Sequence, residues 1–254
     1  MRRKCLTIAT WNLQKCIGMD LRRNPGRTLD VLGDCGADLA VLQEADKRLP
    51  PRPAALPRDM AEAAGWQVLP FGPLGPGGPS IGWCGNAMLA RPGIVVGSLH
   101  HLDLPGLEPR GAIRAELTTP LGPLRVIGTH LGLRRRDRLR QLHALSLMLE
   151  DLDDIPTVLA GDLNEWGRVT VMDHAIRQLD FLDSPRSYPS PRPLGALDRF
   201  ALSHHLTATR APYAHTAQPA RVASDHLPVL VTLQLAASTE TAVRTKPEAM
   251  KDPA

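Results

Sequence analysis

Between residues 85 and 130, four apolar runs follow one another too closely for helices to intervene. They occupy 85–90, 94–99, 112–117 and 124–130, with turns between them. A parallel crossover takes a dozen or more residues and usually a helix, so strands spaced like these pair antiparallel. The rest of the chain has to be arranged around that sheet.

Further strands lie on both sides of it. Residues 6–13 alternate β-branched and apolar side chains and read as an early strand. Residues 37–44 read as a second, 66–69 as a short one, and 157–159, 196–202 and 227–235 complete the set. A turn at 22–26 leads into a helix over 27–32, which Gly33 and Gly36 close. The clearest helix is 134–152, with Leu139, Leu142, Leu145, Leu149 and Leu152 at three- and four-residue intervals, and another is expected over 169–179. Residues 50–57, 72–79 and 184–193 are loops rich in Pro or Gly, of the kind that often face substrate in enzymes. No internal repeat or change of composition splits the chain, so residues 1–235 read as one domain. The small and polar residues of 236–254 read as a disordered tail.

Cys5, Cys16, Cys35 and Cys84 contain no CxxC pair, hence no zinc site and no disulfide framework, which fits a reducing compartment. The chain passes from Met1-Arg2-Arg3-Lys4 straight into a strand, and no run has the length to span a bilayer. A soluble, cytoplasmic monomer is the expectation. Net charge is +4, and only five of the 30 basic residues are lysines. Arginine suits bidentate recognition of phosphate, although a bias toward arginine codons gives the same count. The charge admits a polyanionic partner without identifying one.

The residues able to do chemistry gather where strands stop. Asn12 ends the first strand and Glu44 the second, and His130 closes the run at 124–130. Asp162 and Asn164 follow 157–159, Asp198 lies within 196–202, and Asp225 and His226 precede the last strand. Singly, each has an ordinary reading as a turn former or a solvated terminus. Together they form one kit of carboxylates, carboxamides and imidazoles. Asp162 and Asn164, two apart, point to the same side: the acid to hold or deprotonate a water, the amide to steer a phosphoryl oxygen. Oxygen ligands select magnesium or manganese over zinc, and such a cation neutralises charge developing on a phosphate. Asp198, among apolar neighbours, needs a partner. Arg134, Arg135, Arg136, Arg138 and Arg140 crowd the start of the long helix against its macrodipole, as an anion-facing cluster or as a solvated face.

Six segments carry a family resemblance. Thr10-Trp11-Asn12, Leu42-Gln43-Glu44, Gly128-Thr129-His130-Leu131, Gly161-Asp162-Leu163-Asn164, Leu197-Asp198-Arg199 and Ser224-Asp225-His226, in that order, resemble the motifs of the endonuclease/exonuclease/phosphatase superfamily. This is the deoxyribonuclease I-like fold, and the likeness, strongest to its short bacterial members, runs from about residue 6 to residue 235. It implies a four-layer α/β/β/α sandwich, two mostly antiparallel mixed sheets face to face with helices outside. It also implies Glu44 as the main ligand of a Mg2+ or Mn2+ cofactor, assisted by Asn12 and Asp225. Asp162 would orient or deprotonate the attacking water, and Asn164 would hold a phosphoryl oxygen. His226, held by Asp198, would act as base or transition-state donor, and His130 would contact the phosphate or protonate the leaving group. Asn86 and Arg110 lie in segments that also resemble the family and are candidates for substrate contact.

The implied function is a metal-dependent phosphodiesterase working by in-line attack of water, with nucleic acid the leading substrate and hence a nuclease. The alternatives are a phospholipid or small-molecule phosphoesterase, such as one acting on inositol phosphates, and a non-catalytic module that binds phosphate ligands. Aromatic residues are only 4% of the chain, so no aromatic-rich insertion for gripping single-stranded bases is visible. The arginines at the helix start suit a nucleic acid and equally a peripheral contact with an anionic lipid headgroup.

Overall fold

A computed structural model describes residues 5–46, 53–72, 80–168, 170 and 172–237. The tail from 238 onward and loop residues 50–52 and 73–79 lie outside the described residues. In chain order the elements are β1 (Leu6–Asn12), α1 (Pro25–Asp34), β2 (Leu39–Gln43), α2 (Arg58–Ala63), β3 (Gln67–Val68), β4 (Ala87–Ala90), β5 (Val95–Leu104), β6 (Arg110–Thr119) and β7 (Gly122–His130). They continue with α3 (Arg135–Glu150), β8 (Thr157–Asp162), β9 (Asp180–Phe181), β10 (Asp198–Leu202), β11 (Leu206–Ala208), β12 (Tyr213–Ala214), α4 (Ala220–Ala223) and β13 (Val229–Leu235).

One sheet has seven strands, in the order β11-β13-β1-β2-β4-β3 with β12 also paired to β13, and the other has six, in the order β5-β6-β7-β8-β10-β9. The closely spaced strands β5, β6 and β7 pair antiparallel, as their spacing requires. Each sheet also holds one parallel pair, β1 with β2 and β7 with β8. Those are the two places where a helix, α1 or α3, crosses between neighbouring strands. Four layers result. Ile8, Val41, Met88, Ile113, Val126, Val158, Phe200 and Val231 pack between the sheets. Trp11, Leu32, Leu42 and Leu56 fill the space beneath α1, α2 and α4, and Leu142, Leu145 and Leu149 of α3 cover Ile127 and Leu159 on the opposite side.

Two glycines let these layers close. A Cβ on Gly161 would stand 1.9 Å from the Thr129 carbonyl oxygen, and one on Gly128 would stand 2.7 Å from Val41 Cγ1 in the facing sheet.

The sequence expectations need adjusting at several points. The described residues of the stretch 169–179 are not in the α-helix expected there: Thr170 is in a 3-10 turn, and 172–175 and 177–178 are turns. Met172, Ile176 and Leu179 are buried at the helical interval. However, the backbone N–H of Arg177 donates to Ser146 Oγ (3.4 Å), so α3 supplies a partner that a helical ladder would otherwise provide, and the Gln178 side-chain amide adds a bond to the Ser146 carbonyl (3.2 Å). Helix α1 begins earlier than expected, with Pro25 in its first turn and Asn24 accepting from Arg27 N at 3.0 Å. It runs through Gly33, and Gly36 at φ 62° turns the chain away. The strands β5 and β6 extend beyond the apolar runs that announced them, while α2, α4, β9, β11 and β12 are too short to carry a readable period. The four cysteines are free thiols, and no helix among the described residues is long and apolar enough to cross a membrane.

Candidate active site

The carboxyl ends of both parallel pairs open on one side of the sandwich. Asn12 is the last residue of β1, and the chain leaves β2 through Glu44, whose φ of 52° turns it out of the strand. His130 and Asp162 end β7 and β8 in register. The antiparallel neighbour β10 starts at Asp198, opposite Asp162, and Asp225-His226 lead into β13 beside β1. Two sheets therefore deliver their polar ends to one cleft of about 360 Å³. Asn12, Glu44, Arg110, His130, Asp162, Asn164, Asp225 and His226 line it.

Asp162 is at the centre. Its Oδ2 accepts from Asn12 Nδ2 (3.0 Å) and lies 3.3 Å from His130 Nε2 and 3.8 Å from His226 Nε2. Its Oδ1 accepts the backbone N–H of Asn164 at 3.0 Å. Burial lifts its pKa to about 6 against the opposing pull of the His226 charge, with Asp198 adding to the rise.

Asp198 stands behind His226. Its Oδ2 is 2.8 Å from His226 Nδ1 and accepts from Ser187 Oγ at 2.5 Å. That is the partner a buried acid requires. Burial alone would depress the His226 imidazolium, but Asp198, then Asp162 and Asp225, outweigh it and carry the pKa up to about 10. Tyr188 packs on the imidazole at a ring separation of 4.8 Å.

On the other wall, Glu44 accepts an ion pair from Lys15, and Asp225 is raised above the usual carboxylate range by burial and by the negative charge of Glu44. Two carboxylates and the Asn12 carboxamide, all lining the cleft, make an all-oxygen set. Such a set fits a hard divalent cation, which would relieve that repulsion. A different group, Asp154, His204 and His205, has its ligand atoms within 4.8 Å of one another, but it lies at the far ends of β8 and β10, away from the cleft.

The remaining candidates divide. Asn164, at φ 52°, reaches the cleft and donates one amide hydrogen to the Leu131 carbonyl at 2.9 Å. Arg110 faces the cleft with Nε and Nη2 on Glu108 Oε2 at 3.2 and 2.8 Å. Asn86 is not brought to the cleft lining: it is fully buried and donates to the carbonyls of Gly111 (2.9 Å) and Trp83 (3.3 Å), fastening the residue next to Arg110. Of the arginines at the start of α3, Arg138 is buried and paired with Glu165 at 2.8 Å, whereas Arg134, Arg135, Arg136 and Arg140 are exposed.

Sequence reasoning missed Lys15, Ser187, Tyr188 and Trp166. Trp166 carried a signal, an indole two residues after Asn164; it is 62% exposed at the cleft rim, edge-on to Tyr188 at 5.9 Å. The other three are placed by backbone geometry that no local pattern announces.

Comparisons with known proteins agree with this architecture. The model of the Endonuclease/Exonuclease/phosphatase family matches residues 9–226. The uncharacterized protein YbhP of Escherichia coli strain K12 is 30% identical over 163 residues, 59% of this chain and 63% of YbhP, so the chain spans less than two thirds of that relative's length. Among solved structures, D. rerio TDP2 complexed with single strand DNA product superposes with a TM-score of 0.66 at 16% identity, covering 91% of this chain and 99% of that one. A Bacteroides thetaiotaomicron mannosyl-6-phosphatase gives 0.68 at 18%, covering 90% and 99%. At such identities the likeness is one of fold.

Proposed function

Because this chain belongs to the endonuclease/exonuclease/phosphatase family, whose members are in general metal-dependent phosphoester hydrolases, we propose that it is a Mg2+- or Mn2+-dependent phosphodiesterase acting on nucleic acid. The observation that carries this reading is the convergence on Asp162: one carboxylate accepts from Asn12 of the facing sheet and lies 3.3 Å from His130 of its own sheet and 3.8 Å from His226 at the entry to β13.

Glu44, Asn12 and Asp225 would hold the cation, which when bound supplies positive charge to the phosphate. Asp162 accepts a proton from the attacking water as its oxygen bonds to phosphorus and the opposite P–O bond breaks. Asn12 fixes Asp162 in place. His226 already carries its proton at neutral pH, so between the roles of base and donor it acts as donor to the phosphoryl oxygens, oriented by Asp198. His130 and Asn164 contact the same phosphate.

The nucleic-acid reading is supported by Trp166, a flat exposed ring beside Tyr188 on which a base can stack, and by the exposed Arg134, Arg135 and Arg136, which follow the cleft residue Leu133. A second reading, a small sugar or inositol phosphate, draws on the cleft volume of about 360 Å³, small for a ligand site.

Duplex DNA, single strands, RNA, phospholipid, inositol phosphates and a sugar phosphate, each assayed with Mg2+, with Mn2+ and with chelator, separate the readings. Cleavage of a nucleic acid is expected, abolished by chelator, with Asp162→Asn lowering kcat by about 10³-fold. Faster turnover of a sugar or inositol phosphate transfers the assignment to the second reading. Ligand binding without any metal-dependent turnover would leave only a phosphate-binding module.

A further inference from the structure

Beyond Asn12 and Leu13 the chain makes a single 3-10 turn, Gln14–Cys16, whose three residues have φ values of 46°, 57° and 59°. Consecutive residues with side chains rarely occupy the left-handed region, and such strain persists only where surrounding contacts enforce it. Here those contacts run to each of the three residues assigned to the cation. Gln14 N donates to Asn12 Oδ1 at 3.0 Å, Gln14 Oε1 accepts from Asp225 N at 3.2 Å, and Lys15 Nζ lies 2.5 Å from Glu44 Oε2. Glu44 is itself left-handed at φ 52°. Two backbone kinks thus aim one ammonium and one carboxylate at each other.

The pair is asymmetric in burial: the Glu44 side chain is 16% exposed and the Lys15 side chain 40%. The carboxylate is fixed in the cleft wall, while the ammonium reaches it from the solvent side on a flexible stem. Lysine suits such a place, because its charge is compact and its geometry undemanding, whereas an arginine fork would grip both oxygens. The ammonium stands on an oxygen that a divalent cation needs.

Resting on the metal-dependent reading above, we infer that Lys15 is a resident counter-cation of the ligand set. It neutralises Glu44 when no divalent ion is bound, so that Glu44 and Asp225 stay facing one cleft, and an arriving cation has to take Glu44 from it. Lys15 is a positioning residue in this role, setting how much metal the site requires.

Calorimetric titration of the substrate-free protein with Mn2+, together with melting in chelator, tests this. Lys15→Met is expected to bind Mn2+ about three- to tenfold more tightly, since the competing ion pair is gone. In chelator it should melt below the wild type, because the facing carboxylates lose the Lys15 charge. Lys15→Arg should restore the wild-type melting temperature in chelator. Unchanged or weaker Mn2+ binding by Lys15→Met overturns the inference. If the wild type binds Mn2+, Glu44→Gln does not and Lys15→Met matches the wild type, the metal assignment stands and only the role of Lys15 falls. If the wild type and Glu44→Gln both take up no Mn2+, the metal reading falls and this inference with it.

Discussion

Asp198 and Asp162 hold one imidazole between them, with His226 Nδ1 at 2.8 Å from one carboxylate and Nε2 at 3.8 Å from the other. That arrangement stores a pH dependence in the metal-free protein. The pKa of His226 is raised from 6.5 to about 10, so its stabilising contribution is fully present below pH 6.5 and is lost as pH rises toward 10. Asp162, lifted by burial to about 6, has its own stability change in a lower window, between the ordinary carboxylate value and 6. In chelator, therefore, the melting temperature should fall as pH climbs from 6.5 to 10, and His226→Gln should flatten that slope. An equal slope in the variant would show that His226 is not held as imidazolium. The candidates themselves were legible in the sequence, because each closes or opens a strand. Their order of importance was not, since burial and like-charge crowding around Asp162 arise only when β8 and β10 pair.

At the scale of elements, α3 shows how one run of arginines divides into two jobs. The charge pattern from Arg134 to Arg140 left anion-facing and solvated roles open. Four of the five are indeed exposed, but Arg138, one helical turn in, is buried and donates to Glu165, Leu133 and Gly132. It thereby ties the helix start to the loop that carries Asn164 and Trp166. With side-chain exposures of 7% and 9%, Arg138 and Glu165 form a pair whose disruption leaves a buried charge uncompensated. Arg138→Met should cost about 3 kcal/mol, and adding Glu165→Gln should recover part of that loss. A double-mutant cycle in denaturant measures both; a single-variant cost below about 0.5 kcal/mol would reduce the pair to a surface contact. The apolar stripe was enough to read α3. The same kind of stripe over 169–179 misled, because spacing reports which side chains are buried and not whether the backbone ladder closes on itself or on Ser146.

Across the whole molecule, the division of the site follows the division of the sandwich. Asn12, Glu44 and Asp225 sit on the seven-stranded sheet or on loops entering it, whereas His130, Asp162, Asn164 and Asp198 belong to the six-stranded one. The two halves are registered across the intersheet core, where Gly128 of β7 meets Val41 of β2 and Met88 of β4. Alternating apolar runs predicted two packed sheets, but no sequence pattern states which glycine sets their separation. A methyl group at Gly128 would stand 2.7 Å from Val41 Cγ1, so β2 and β7 must shift apart to admit it. Because the three proposed oxygen ligands lie on the same side of that seam, Gly128→Ala should keep Mn2+ affinity within about threefold of wild type. Turnover should nevertheless fall by about ten- to a hundredfold, the cost of sub-ångström to ångström misplacement between cation and base. Calorimetry and single-turnover kinetics on the folded variant decide the matter. If affinity and rate drop together, the two sheets do not divide the labour in this way.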